Sequence, residues 1–179
     1  MNFDAFESVY EAILTDFGFD RAADERARDV AADLATPFPL DRLGDWRGET
    51  VAVVGAAPSL SDEVDRAGDA DVVVAASTAA DVLAERGVAV DCMVTDLDKN
   101  PETAAALTRD GVPVAAHAHG DNVPAVREWL PRFADEWTIA TTTSGDSRTA
   151  TARRSSPTTS VPPSSSSPAG TSTTPTSTR

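Results

Sequence analysis

Apolar residues recur every three or four positions through Phe3, Phe6, Val9, Tyr10, Ile13, Leu14 and Phe17, which predicts an amphipathic helix over residues 2–17, stopped by Gly18. A second helix is predicted over Arg21–Leu34, ended by Pro37 and Pro39. The period then changes. Thr50–Val54, Val72–Ala76, Cys92–Val94, Val112–Ala116 and Thr138–Ala140 are short apolar runs of strand length. Helix signals fill the gaps: Thr78–Arg86 stops at Gly87, and Asn100-Pro101-Glu102 supplies an N-cap and an N1 proline for a helix stopped at Gly111. Val123, Val126, Leu130 and Phe133 form a helical stripe after the fourth strand. Strands alternating with helices predict a parallel sheet with right-handed crossovers, hence an α/β, Rossmann-like fold with helices on both faces.

The pattern breaks near Thr141. From there to Arg179, 23 of 39 residues are Ser or Thr and five are Pro, with Val161 the one large aliphatic, too little apolar area to offset the entropy of ordering. The expected organisation is an N-terminal helical segment over 1–45, a Rossmann-like domain over 46–142 and a disordered Ser/Thr/Pro-rich tail over 143–179. A native tail accounts for the break, and so does a shifted reading frame in a GC-rich gene, which would cut the domain short. The DNA beyond codon 140 separates the two.

Charge narrows the classes of partner. Residues 1–140 hold 28 of the 29 acids and 11 of the 15 bases, a balance of −17, whereas the remainder carries +3. Such a surface repels nucleic-acid phosphates, and Lys99 is the one lysine in the chain. Nucleic acid is therefore disfavoured as a partner. No apolar run reaches membrane-spanning length and no secretory signal opens the chain, so a cytoplasmic protein without membrane attachment is expected. The acid-rich, lysine-poor balance fits a cytosol of high salt, which predicts stability that falls as salt is dialysed away. Cys92 is the single cysteine; it cannot close an intramolecular disulfide or cage zinc alone, and reads as core filling.

In open parallel sheets the ligand crevice lies beyond the carboxyl ends of the strands, so the residues following each run are the ones to inspect. They are Gly55-Ala-Ala-Pro58-Ser59-Leu60, Ser77-Thr78, Thr95-Asp96-Leu97-Asp98-Lys99-Asn100, His117-Ala-His119-Gly120-Asp121-Asn122 and Thr141-Thr142. The first offers a tight turn and helix-start amides near Ser59 and Leu60 for a phosphate, or is an ordinary strand-to-helix turn. Asp96 and Asp98, two apart, share one face if the strand continues through them and could then share Mg²⁺, with phosphates completing its shell; alternatively Asp98 caps a turn and Asp96 is solvated. The period-two spacing of His117, His119 and Asp121 permits a zinc half-site, though Gly120 invites a turn that breaks it. The imidazoles could instead donate to phosphate oxygens, with Asp121 on a metal or capping the next helix, and a purely structural role also stands for His117. Trp46, Trp129 and Trp137 read as packing.

Taken together, GAAPSL, VTDLDKN and HAHGDN, in this order and each after a strand, resemble the archaeal-type 6-hydroxymethyl-7,8-dihydropterin diphosphokinases over roughly Phe3 to Thr142. That family looks related in fold to thiamine diphosphokinases and, more distantly, to glycosyltransferase-like motility accessory proteins. The resemblance implies transfer of diphosphate from ATP, the co-substrate, to hydroxymethyldihydropterin, releasing AMP on the route to folate or tetrahydromethanopterin. It implies Asp96, Asp98, His117 and His119 as catalytic residues and Asp96, Asp98 and Asp121 around Mg²⁺. Gly55, Pro58, Ser59, Leu60, Ser77, Thr78, Gly120 and Asn122 would then line the nucleotide or pterin. A homo-oligomer is compatible with it. The family continues past the Thr-Thr strand with further strand and helix units, so weak or absent turnover is expected of this chain as written. The alternatives are a nucleotide- or pterin-binding remnant without turnover, or a glycosyltransferase-like accessory protein using a nucleotide sugar.

Overall fold

A computed structural model describes residues 3–35 and 46–142. The expected proline stops at Pro37 and Pro39 and the whole 143–179 segment lie outside those residues. Helices α1 (Phe3–Phe17) and α2 (Arg21–Leu34) form where the periodicity places them, and Gly18 separates them at φ +68°, a left-handed conformation that glycine adopts without steric cost. Asp20 caps α2, its carboxylate accepting the Ala22 N–H.

Five parallel strands follow: β1 (Val51–Val54), β2 (Val72–Ala76), β3 (Cys92–Thr95), β4 (Val114–Ala118) and β5 (Thr138–Thr142). Helices α3 (Leu60–Gly68), α4 (Ala79–Glu85), α5 (Pro101–Arg109) and α6 (Val123–Trp129) connect them. The third and fifth strands run further than expected and the fourth is displaced by two residues. Pro113 has no N–H to give a ladder, so β4 starts after it and runs on through His117. That histidine thus belongs to the strand and lies in register with Thr141.

The spatial order is β1-β2-β3-β4-β5. Right-handed crossovers that always step the same way deliver every helix to one face. The core confirms it. Every strand residue buried in that core has one parity (Val54, Val73, Ala75, Met93, Val114, Ala116 and Ala118), and all pack with residues of α2 to α6 such as Ala27, Val64, Leu83, Ala104 and Val126. On the other parity Val51, Val53 and Val94 are exposed, Val53 to 80%. The parallel α/β class therefore holds, but the expected second helical layer is absent among the described residues. Helix α2 packs on β4, β5 and α6, carrying the N-terminal segment to the end of the sheet where the last strand lies. Cys92 is buried, its thiol pushed up to about 11 by burial and by Asp91, as suits a packing role. No helix among the described residues is long and apolar enough to cross a membrane.

Candidate functional site

The carboxyl ends of β2 and β3 each carry a residue held in the left-handed region without being glycine: Ser77 at φ +49° and Leu97 at φ +67°. Such a conformation costs roughly 1–2 kcal/mol per residue and persists only where the surroundings impose it. At Leu97 the side chain is buried in the core and the N–H donates to Thr95 Oγ1 at 3.0 Å. The strand ends at Thr95, so Asp96 and Asp98 are not brought together by strand alternation. The left-handed turn at Leu97 does it instead, bringing the Asp98 N–H to 3.5 Å from Asp96 Oδ1 and the two carboxyls within reach of each other.

The pair shares its charge unequally. For Asp98 the hydrogen bond with Asp96, burial and the like charge all push the carboxyl above the usual aspartate range, against the opposing pull of Lys99. For Asp96 burial works upward, but the hydrogen bond from Asp98, backbone N–H groups and the nearby His119 outweigh it, and the group titrates low. His117 and His119 lie with ring centres 6.1 Å apart at 29°. Burial and the neighbouring imidazole lower the pKa of His117, against the pull of Asp24 and Asp96, which keeps its ring neutral at pH 7. Asp96, Asp98, His117 and His119 thus occupy one neighbourhood at the ends of β3 and β4.

Asn122 builds it. Its amide donates to Asp96 O at 2.7 Å and to His117 O at 2.8 Å, while Oδ1 accepts the His119 N–H at 2.9 Å. One buried side chain therefore fastens the loop after β3 to the loop after β4. Both amide hydrogens are spent on these carbonyls, so the Asn122 NH₂ is not open to the nucleotide or pterin that the residue is expected to line. Gly120 is likewise committed: its N–H donates to Asp24 Oδ1 at 2.7 Å, and a Cβ there would lie 2.6 Å from Ala23 Cβ. It is the point at which the β4 loop docks on α2.

The turn after β1 is less committed to an anion than its sequence suggests. Leu60 donates its N–H to Ala57 O at 2.9 Å, and helix α3 starts at Leu60, beyond Pro58. Gly55 has open space where a side chain would go, over a cleft of about 390 Å³ that Ser59, Glu63 and Arg66 help to line. Asn100 does not cap α5 as expected; its amide donates to Ser77 O at 3.3 Å and Asp81 Oδ2 at 2.7 Å, and Thr103 donates to Asp81 Oδ1 at 2.6 Å. This network, invisible in the sequence, holds Ser77 in its left-handed conformation. Thr78 is the residue before α4 and makes no side-chain cap. The Ser77 hydroxyl and Asn100 Oδ1 are buried without a hydrogen-bond partner among the described residues.

Asp121 is exposed and does not join the aspartate pair; among the described residues no three His, Cys, Asp or Glu side chains form a group able to hold a metal. The zinc half-site of His117, His119 and Asp121 is corrected on that ground. A carboxylate pair whose members repel when both ionised is nonetheless a hard-oxygen donor set that suits Mg²⁺ with phosphate oxygens completing the shell.

A parallel sheet that gathers paired acids and imidazoles at the carboxyl ends of adjacent strands sets them where open α/β domains bind their ligands. The chain belongs to the 6-hydroxymethylpterin diphosphokinase MptE-like family, which it matches over residues 31–159. It is 38% identical over 127 residues, 68% of this chain and 55% of that protein, to the 6-hydroxymethyl-7,8-dihydropterin pyrophosphokinase of Methanothermobacter thermautotrophicus. Proteins of the same name from Methanocaldococcus jannaschii and Pyrococcus furiosus are 28% and 31% identical over 74% and 69% of the chain, and 59% and 55% of their own lengths. The chain thus spans little more than half the length of the curated relatives it matches.

Proposed function

We propose that the chain carries the site for transfer of diphosphate from ATP to the hydroxymethyl group of 6-hydroxymethyl-7,8-dihydropterin, releasing AMP. The observation that carries this is the Asp96–Asp98 pair beside His119, fastened to the β4 loop through Asn122, in a chain of this family. Asp96 and Asp98 would hold Mg²⁺, which when bound neutralises charge on the phosphates. His119, beside Asp96, donates to a phosphate oxygen. The neutral ring of His117 is the group we assign to accept the hydroxyl proton as the oxygen attacks the β-phosphorus. The bridging oxygen leaves with AMP. Little covalent participation is required of the protein, so rate comes mainly from positioning and charge.

The reading makes the partners small molecules and places the protein in the cytoplasm, where ATP is at hand; the acid excess of the sequence argues against nucleic acid and fits a salt-rich cytosol. The test is AMP release from ATP and the pterin alcohol in the presence of Mg²⁺, lost in Asp96→Asn. Soluble, folded protein giving no AMP above background would overturn it. Pterin and nucleotide binding by calorimetry without AMP would instead assign a binding chain without turnover, and a thermal shift with nucleotide sugars but not ATP would assign the accessory-protein class.

A further inference from the structure

A cavity of about 500 Å³ lies between α1 and the carboxyl end of β4, outside the segment that matches the family on its α1 side. Phe6, Tyr10, Ile13 and Phe19 make its apolar wall; His119 and Asp121 are among its polar residues. The wall is held in shape. Tyr10 is 2% exposed, its hydroxyl donates to Asp24 Oδ2 at 2.9 Å, and its ring lies 6.4 Å from that of Phe6 at 28°. Arg21 sits over the Tyr10 ring and pairs with Glu7 and Glu11 of α1, fixing that helix to α2. Ile13 and Phe19 remain 39% and 53% exposed at its rim.

We propose that this cavity binds the pterin ring of the acceptor substrate, with Asp121 reading its aminopyrimidinone edge. The inference rests on the diphosphokinase reading and gives one of its substrates a place. Three observations carry it. A lining of aromatic and aliphatic groups with a few polar ones suits a planar ring whose faces are apolar and whose edge is polar, and the volume accommodates a bicycle. The Asp121 carboxylate is exposed and lines the cavity, and a carboxylate accepts two adjacent N–H donors in parallel. The pterin edge offers two such donors, the 2-amino group and N3–H, whereas the adenine edge alternates donor with acceptor and sets lone pair against lone pair. Finally, strand order separates the two substrates. With neighbouring strands about 4.8 Å apart, the β1 turn is roughly 10 Å from the aspartates after β3, and the β4 cavity roughly 5 Å on their other side. A nucleotide entering over the Gly55 cleft and a pterin entering beneath α1 meet at Asp96 and Asp98.

The test titrates 6-hydroxymethylpterin, a fluorescent probe, into the full chain by anisotropy, with ATP and AMP titrated by calorimetry in parallel. Ile13→Trp, which fills the cavity from its rim, and Asp121→Asn, which leaves an N–H facing the ring's donors, should each weaken pterin binding about tenfold or more and change nucleotide affinity by less than about twofold. Phe19→Ala, at an exposed position, covers the case in which Ile13→Trp fails to fold, and should weaken pterin binding in the same sense. Unchanged pterin affinity in folded variants overturns the inference while leaving the diphosphokinase reading intact. A parallel fall in nucleotide affinity overturns it by placing adenine in the cavity. Wild-type protein that binds nucleotide but no pterin overturns both.

Discussion

Asn122→Ala probes the joint between the loops that follow β3 and β4. The substitution removes three hydrogen bonds at once and leaves Asp96 O, His117 O and the His119 N–H without their partner in a region where Asn122 itself is 7% exposed. At about 0.5–1.5 kcal/mol net for each bond, the expected destabilisation is about 2–4 kcal/mol. Urea denaturation followed by far-ultraviolet circular dichroism should show a lower midpoint with an unchanged slope, because the area exposed on unfolding is nearly the same. Asn122→Asp supplies the control of mechanism. It keeps the acceptor for His119 but turns an ionised oxygen toward two carbonyl oxygens, so at pH 7 it should be no more stable than Asn122→Ala, and it should recover as acid protonates the new carboxyl. AMP release should fall in both. A loss below about 1 kcal/mol in Asn122→Ala, or an Asn122→Asp protein as stable as wild type at pH 7, would refute the joint.

Because Asp98 titrates above its unfolded value, its contribution to stability is present in acid and is lost as pH rises through that raised value. Asp98→Asn should therefore raise Tm at pH 7 in chelator and abolish the further rise that Mg²⁺ gives the wild type; a Mg²⁺ shift that survives the substitution counts against the pair as the cation site. His117 titrates below its unfolded value, so its contribution is full above about pH 6.5 and is lost as pH falls through the lowered value. The drop in Tm between pH 7.5 and 5 should be shallower in His117→Gln than in wild type, and equal slopes would reject that assignment. Gly120→Ala sets a Cβ 2.6 Å from Ala23 Cβ and 3.3 Å from the Ala23 carbonyl carbon, neither of which can swing aside. It should cost about 1–3 kcal/mol in urea denaturation.

Where one local rule governs, sequence and structure agree. Helix α2 occupies Arg21–Leu34 as its periodicity requires, and Gly18, Gly87 and Gly111 end helices at positive φ. β4 starts two residues beyond the expected Val112 because apolar character continues through Val112 and Pro113, while Pro113 cannot join a ladder and is itself the signal of the later start. The aspartate pair shows a right meeting for the wrong local reason: spacing suggested alternation along a strand, whereas a left-handed leucine, which no propensity announces, turns the chain there. The roles of Asn122, Asn100 and Gly120 depend on backbone and side-chain groups 3 to 96 residues away and leave no local mark. The sequence does not separate the α1 cavity from a packed face, because Phe6, Tyr10 and Ile13 fit the stripe of an amphipathic helix; a tyrosine within that stripe, needing a polar partner when buried, is the available hint. One-sided packing follows from strand order, which periodicity does not encode.

The order in which the chain leaves the ribosome gives the placement of α2 a further consequence. Each βα unit from β1 onward can pair with the strand synthesised just before it, so the sheet can grow by short-range steps that close quickly. Helix α2 is made before any of them, yet it rests on β4, β5 and α6, the latest described pieces to emerge. The first helices must therefore wait, with their apolar stripes uncovered, until more than a hundred later residues have been delivered. During synthesis it is the pair of helices ahead of β1, rather than the strands that follow, that stands most in need of a chaperone.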